Sequence, residues 1–167
     1  TDHNHCSILP GLIMIRKLYE QVVTVIAAPQ SGEPDAAARE SAVRLATAVL
    51  MIDVARADHV FEESEFDSVL RLVEEHFVLE PEQAAELVNS AGEVADDLVS
   101  VHEFTQRLHR HLSDNEKARV VGLLWQVAFA DGRLDKFENS LVLKISDLLY
   151  VNRARVMRLK HDAASLD

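Results

Sequence analysis

Two copies of one segment lie in this chain, and this repetition constrains the fold more than any other feature. Residues 53–78 align without a gap with residues 126–151, 73 positions further on. The positions that hold the same residue in both copies are Val54/Val127, Ala55/Ala128, Ala57/Ala130, Asp58/Asp131, Glu65/Glu138, Val69/Val142, Leu70/Leu143 and Val78/Val151. Two of these matched positions are acidic and lie in the predicted turns between helices. The sequence therefore predicts a duplicated unit with equivalent acidic turns.

Apolar residues recur at helical spacing along most of the chain, and no stretch shows sustained alternation typical of a strand. Gly92 is expected to end or loosen one helix, and Gly132 to follow the end of another. The first four predicted helices run from about Pro10 to Ala27, from an Asp35 cap to Arg56, over 63–77, and from Pro81 to Ala91. The others start at a Ser100 cap, run over 114–130 after a Ser113 cap, from an Asp135 cap to Tyr150, and from an Asn152 cap to His161. These patterns predict an all-α fold of about seven to eight helices.

The length of 167 residues suits one domain with a sizeable core. We expect repeat one over about 38–95, repeat two over about 113–162, and an N-terminal extension and helix over 1–34. Amphipathic helices joined by short turns pack as antiparallel neighbours around a shared core. The single domain, residues 1–167, is therefore predicted to be a compact bundle with a pseudo-twofold internal duplication.

The charge of the chain restricts its partners. The net charge is −11, and residues 53–97 carry fourteen acidic side chains but only two arginines. Such a surface repels nucleic-acid phosphate and attracts cations or basic proteins. No apolar run reaches the ~18 residues of a membrane-spanning helix. We therefore expect no nucleic acid, no direct membrane insertion and a protein partner, with a homodimer also compatible with the sequence. A single cysteine fits a cytoplasmic protein.

The sharpest motif is the acidic turn at residues 131–138, Asp-Gly-Arg-Leu-Asp-Lys-Phe-Glu, and its copy at 58–65. The acidic positions of the two copies match three for three. They are Asp58/Asp131, Glu62/Asp135 and Glu65/Glu138. A helix end, a tight turn and a new helix start can bring such carboxylates together, so these six residues are the candidate metal ligands.

Two interpretations of this motif stay open. Helix capping accounts for Asp135, Glu138 and Glu65 without a ligand, because such carboxylates satisfy free N–H groups at a helix start. It accounts less well for Asp58 and Asp131, which follow helix ends where negative charge is mildly unfavourable. The other interpretation is a hard-cation site for Ca²⁺ or Mg²⁺. It is not an EF-hand, because the glycine directly follows the first aspartate.

The run Ala-Phe-Ala-Asp-Gly-Arg-Leu-Asp…Glu, with its copy Ala-Arg-Ala-Asp-His-Val-Phe…Glu, resembles the tellurite-resistance protein B (TerB)-like family over about residues 38–162. The resemblance implies a two-repeat helical bundle, acidic residues that bind a divalent metal, and a role in stress response. Carried over by position, it implies Asp58, Glu65, Asp131 and Glu138 as site residues. The first copy departs from the pattern, since His59 replaces the glycine.

No catalytic set accompanies these acids: the sequence has no glycine-rich phosphate loop, no nucleophile elbow and no His-Glu metalloprotease pair. We therefore expect a protein that is not an enzyme and that takes no organic cofactor. The leading hypothesis is a stress-response module that binds a divalent cation. The alternative is a metal-independent adaptor whose acidic face docks a basic protein.

Overall fold

The computed structural model describes residues 20, 22, 24–26, 33–57, 63–98 and 100–166, and these residues contain helices and no strand. Residues 20, 22 and 24–26 are helical. The helices that follow are α1 (Glu33–Ala55), α2 (Glu63–Phe77), α3 (Pro81–Asp97), α4 (Val101–His109), α5 (Asp114–Phe129), α6 (Lys136–Leu148) and α7 (Arg153–Ala164). The prediction of an all-α bundle is confirmed, while the internal duplication stays a prediction.

Helix α1 is the centre of the bundle. All residues from 45 to 55 are buried, and α1 packs against α2, α3, α5 and α6. A helix that is apolar on nearly all sides has to be enclosed by others, as this one is. The predicted cap at Asp35 is wrong, because the helix already begins at Glu33 and Pro34 lies in its first turn. Proline is favoured there, since the first N–H groups of a helix have no internal partner.

Helices α2 and α3 complete the first half of the bundle. Helix α2 has the predicted bounds and buries an apolar stripe that ends at Phe77. The sequence predicted that helix α3 ends near Gly92. The helix instead continues to Asp97. Beyond the glycine, Val94 and Ala95 are buried. Their burial offsets the ~1 kcal/mol by which glycine weakens a helix relative to alanine.

Side-chain caps set the starts of the later helices as predicted. The Ser100 hydroxyl accepts from the Glu103 N–H at 3.2 Å. At α5 the Ser113 hydroxyl accepts from the Glu116 N–H at 3.2 Å, and the Glu116 carboxylate accepts from the Ser113 N–H at 2.9 Å. The Asn152 Oδ1 accepts from the Ala154 N–H at the start of α7. These local bonds were readable from sequence because each joins residues two or three apart.

The second half of the bundle packs around α5, which contacts α1, α2, α6 and α7. Trp125 of α5 is fully buried. Lys160 of α7 places its ammonium 5.1 Å from the Trp125 ring centre and donates to Asn139 of α6 at 2.9 Å. This lysine therefore joins three helices, and α7 continues beyond the predicted end at His161 to Ala164.

Within the described part of the chain, no helix is both long enough and apolar enough to cross a membrane.

Candidate functional site

The turn between α5 and α6 holds Asp131. The Gly132 N–H donates to the Phe129 carbonyl at 2.9 Å, and Gly132 has a φ of 79°. The Asp131 Oδ1 accepts from the Arg133 N–H at 3.1 Å. An aspartate that accepts from the N–H two residues on stabilises a tight turn. Asp131 therefore has a structural role in the turn that its sequence pattern did not predict.

Asp135 caps α6, as predicted. Its Oδ2 accepts from the N–H groups of Phe137 at 2.9 Å and Glu138 at 3.3 Å. This use of the Asp135 carboxylate is explained by the free N–H groups at a helix start. The next acidic residue of the motif, Glu138, is itself buried, with 6 % of its surface exposed. Burial of a carboxylate is costly unless it is paired, hydrogen-bonded or bound to a cation.

Three of the candidate ligands line one small cavity of about 120 Å³, which we call the acid-lined pocket. Glu65 reaches it from the first turn of α2, Asp131 from the turn after α5, and Glu138 from the first turn of α6. The remaining lining residues are Ala55, Ser64, Ser68, Val127 and Ala130. Packing of α1, α2, α5 and α6 therefore joins acidic residues of both predicted repeats in one place.

The other three candidate ligands are Asp58, Glu62 and Asp135. Asp135 is not one of the pocket's lining residues, and its carboxylate serves as the helix cap. Asp58 and Glu62 lie outside the described residues. Their proposed participation therefore stays a prediction.

Ser64 and Ser68, which also line this cavity, were not among the residues predicted from the sequence. The Ser68 hydroxyl donates to the Ser64 carbonyl at 3.0 Å. Comparison of the repeats gives no signal for this pair, because the equivalent positions hold Phe137 and Leu141. Their four-residue spacing, which places both on one side of α2, was the one available indication.

The donor chemistry of the acid-lined pocket fits a hard cation, although the described residues do not complete a ligand set. Carboxylate oxygens are the ligands that Ca²⁺ and Mg²⁺ prefer. A cavity of 120 Å³ has the volume of about four water molecules at ~30 Å³ each. Within the described ranges, no three His, Cys, Asp or Glu side chains are grouped closely enough to hold a metal ion. Water or further acidic residues would have to supply the missing ligands.

A second acidic feature lies on the outside of the first half. Many acidic side chains of α2, α3 and the turn between them are exposed, namely Glu63, Asp67, Glu75, Glu80, Glu82, Glu86, Glu93 and Asp96. Asp96 forms an ion pair of 2.6 Å with Arg56 at the end of α1. We call these exposed acids the acidic face. A surface of this charge attracts cations and basic proteins.

Together these features define an all-α bundle with an acid-lined pocket at a helix–turn–helix of the Ala-Asp-Gly type. The family model described as tellurite resistance protein TerB matches residues 44–161, and the chain belongs to this family. The match covers most of both predicted repeats and all residues of the acid-lined pocket. It confirms the family resemblance inferred over residues 38–162. No curated protein and no solved structure is significantly similar to the chain.

Proposed function

We propose that this TerB-family protein is a non-enzymatic cytoplasmic module of a stress response, and that it binds Ca²⁺ or Mg²⁺ in the acid-lined pocket. The observation that carries the proposal is the convergence of Glu65, Asp131 and Glu138 on one cavity. Glu65 on α2 lies 66 residues before Asp131 and 73 residues before Glu138, so local capping does not explain why the three side chains share a cavity.

Electrostatics supports cation binding at this position. Carboxylates that share a partly buried cavity repel one another, and the repulsion rises as the surrounding dielectric constant falls. A divalent cation relieves this repulsion and adds oxygen coordination. Asp58, at the position equivalent to Asp131, is the further ligand that the proposal expects from the first repeat.

The test is a calorimetric titration of chelator-treated protein with Ca²⁺ and then with Mg²⁺. Wild-type protein is expected to bind with a defined stoichiometry and a dissociation constant below about 1 mM, within the range of carboxylate calcium sites. Asp131→Asn and Glu138→Gln are expected to weaken binding at least about tenfold, because each removes one ionised oxygen ligand. Asparagine at position 131 still accepts the hydrogen bond from Arg133, so the turn is expected to survive.

Glu86→Gln is the matched control, because Glu86 is exposed on α3 and is not a lining residue of the acid-lined pocket. This variant removes the same charge and is expected to bind like wild type. Equal weakening in Glu86→Gln and Glu138→Gln would show that binding is non-specific attraction to an acidic protein. Absence of saturable binding in wild type would remove the cation from the proposed function.

A metal-independent adaptor is the second candidate, and the acidic face favours it. Its exposed carboxylates form a surface suited to a basic protein partner through long-range attraction. Partner capture that weakens with added salt, but is unchanged by chelator and by Asp131→Asn, would support the adaptor. Loss of capture on chelation would instead connect partner binding to the acid-lined pocket.

A further inference from the structure

We propose that a second cavity, which shares no lining residue with the acid-lined pocket, binds an organic anion with an apolar body, such as a medium-chain carboxylate. This cavity has a volume of about 860 Å³ and lies between the N-terminal half of α1, the end of α2, the α4–α5 turn and the start of α5. Ligand pockets typically measure about 300–1,000 Å³. We call it the basic pocket, after its four arginines Arg39, Arg44, Arg110 and Arg119.

The arginines leave the basic pocket with an excess of positive charge. Two of them are matched within the pocket, since Arg39 pairs with Glu116 at 2.6 Å and Arg44 with Glu40 at 3.1 Å. No carboxylate of the described residues lies within 4.0 Å of Arg110 or Arg119, the other two arginines. Two arginines that no carboxylate of the described residues pairs with, in a chain of net charge −11, give this cavity a local attraction for an anion.

Arg119 is held in place by contacts other than ion pairs. Its Nη2 donates to the His76 carbonyl at 2.6 Å, and its guanidinium lies 5.2 Å from the centre of the Phe77 ring. Arg44 lies 5.8 Å from the same ring. Guanidinium groups held against an aromatic ring are oriented before a ligand arrives, which lowers the entropic cost of binding.

The apolar lining of the basic pocket favours a ligand with a hydrocarbon body over a small inorganic anion. The apolar lining residues are Ile26, Ala36, Val43, Phe77, Leu112, Val120 and Leu123. Each further methylene group buried against such side chains is expected to raise the affinity about fourfold, so affinity should increase with chain length. The combination of an apolar lining and unmatched arginines is suited to an amphiphile with one anionic end.

This inference is independent of cation binding, because the two cavities lie at different parts of the bundle. The basic pocket is lined by residues 36–47 of α1 and 113–123 at the start of α5. The acid-lined pocket uses Ala55 at the end of α1 and residues 127–131 at and just beyond the end of α5. The cavities share no lining residue. Binding of the organic anion can therefore fail while cation binding persists, and cation binding can fail while the organic anion still binds.

The test is titration of the full ¹⁵N-labelled chain with octanoate, followed by amide chemical shifts in NMR spectra. Saturable shifts are expected around the basic pocket. Butyrate, which keeps the charge but shortens the tail, and 1-octanol, which keeps the tail but lacks the charge, are each expected to bind at least about tenfold more weakly. Equal binding of octanoate and 1-octanol would overturn the proposed role of the arginines.

Arg119→Gln and Arg110→Gln are expected to weaken octanoate binding about tenfold each, because each removes one cation from the pocket. Arg158→Gln is the matched control, since Arg158 is exposed on α7 and does not line this cavity. It is expected to bind octanoate like wild type. The proposal is overturned if wild type shows no saturable shifts up to several millimolar octanoate, if the shifts lie elsewhere, or if all three variants behave alike.

Discussion

Arg39 of α1 and Glu116 of α5 form a two-point ion pair across 77 residues of sequence. Nη1 of Arg39 lies 2.6 Å from Oε2 of Glu116, and Nη2 lies 3.0 Å from Oε1. The Glu116 carboxylate also accepts the Ser113 N–H of its own helix start. One carboxylate therefore caps α5 and ties that helix to the centre of the bundle.

This pair predicts that acid destabilises the fold through Glu116. Burial opposes ionisation of Glu116, but the hydrogen bonds from Arg39 and Ser113 hold its pKa below the usual range. The ionised form is therefore favoured in the folded state, and its contribution is lost as the pH falls through the folded pKa. Glu116→Gln is expected to lower the free energy of unfolding by about 1–2 kcal/mol at pH 7.

Urea unfolding of wild type and Glu116→Gln, at pH 7 and at successively lower pH, checks this prediction. The difference between the two proteins should shrink on acidification. Glu40→Gln is the control, because the Glu40–Arg44 pair is exposed and is expected to contribute less than about 0.5 kcal/mol. A difference for Glu116→Gln that does not change with pH would contradict the electrostatic origin.

For Asp53, which is buried near the end of α1, we expect its effect on stability to depend on pH in the opposite direction. Burial raises the pKa of Asp53 to about 6, against a smaller opposing effect of Arg56 at 3.5 Å. Its Oδ2 is inaccessible and has no hydrogen-bond partner among the described residues. Between the ordinary pKa and 6 the folded state binds more protons than the unfolded state, so stability falls as the pH rises.

Asp53→Asn is therefore expected to raise the free energy of unfolding by about 1–2 kcal/mol at pH 8, since each unit of pKa shift corresponds to about 1.4 kcal/mol. The gain should diminish towards pH 4, where wild-type Asp53 is protonated in the folded state. Urea unfolding at pH 8, 6 and 4 measures this gain in stability. Asp67→Asn is the control, because Asp67 is exposed on α2. Destabilisation at pH 8 would show that the Arg56 contact outweighs the burial of charge.

Val78, just after α2, predicts a stabilising substitution. It has a φ of 51° and is 88 % exposed. The left-handed conformation is unfavourable for a β-branched residue by roughly 1–2 kcal/mol and costs glycine little. Val78→Gly is expected to raise stability by about 1 kcal/mol in thermal unfolding. Tyr150 has a similar φ of 57°, but its ring stacks on His109 with centres 4.4 Å apart. Tyr150→Gly is therefore expected to raise stability by less than Val78→Gly, because it also removes this ring contact.

At Gly132, in contrast to Val78, we expect a substitution to lower the stability of the protein. No atom lies within 4 Å of the position that a Cβ would occupy, so a methyl group fits. The φ of 79° is nevertheless unfavourable for alanine. Gly132→Ala is expected to destabilise the protein by about 1 kcal/mol, whereas Gly92→Ala, inside α3, should stabilise it by a similar amount. Thermal unfolding of both variants checks the signs, and a neutral Gly132→Ala would contradict the assigned turn.

Cation binding predicts a linked gain in stability. A ligand that binds only the folded state at 100 times its dissociation constant adds about 2.7 kcal/mol to the free energy of unfolding. Ca²⁺ is therefore expected to raise the melting temperature of wild type, with a much smaller rise for Asp131→Asn. Equal rises in both proteins would point to a different binding position.

Local features of the fold followed from the sequence. The caps at Ser113, Asp135 and Asn152 join residues two or three apart, so their hydrogen bonds can be predicted from short stretches of sequence. The bounds of α2 followed from its apolar periodicity. The extension of α3 past Gly92 could not be predicted from the sequence, because burial of Val94 and Ala95 by other helices overrides the low helix preference of glycine.

Sequence alone determined the all-α class, the positions of most helix starts and the acidic turns as candidate ligands. Only the tertiary structure showed that Glu65 and Glu138 share a cavity and that Asp135 is not among its lining residues. It also placed Arg110, Arg119 and Phe77 in the lining of one cavity, an arrangement that no spacing in the chain predicts. The reason is physical: capping and periodicity depend on neighbours along the chain, whereas a cavity depends on how distant helices pack.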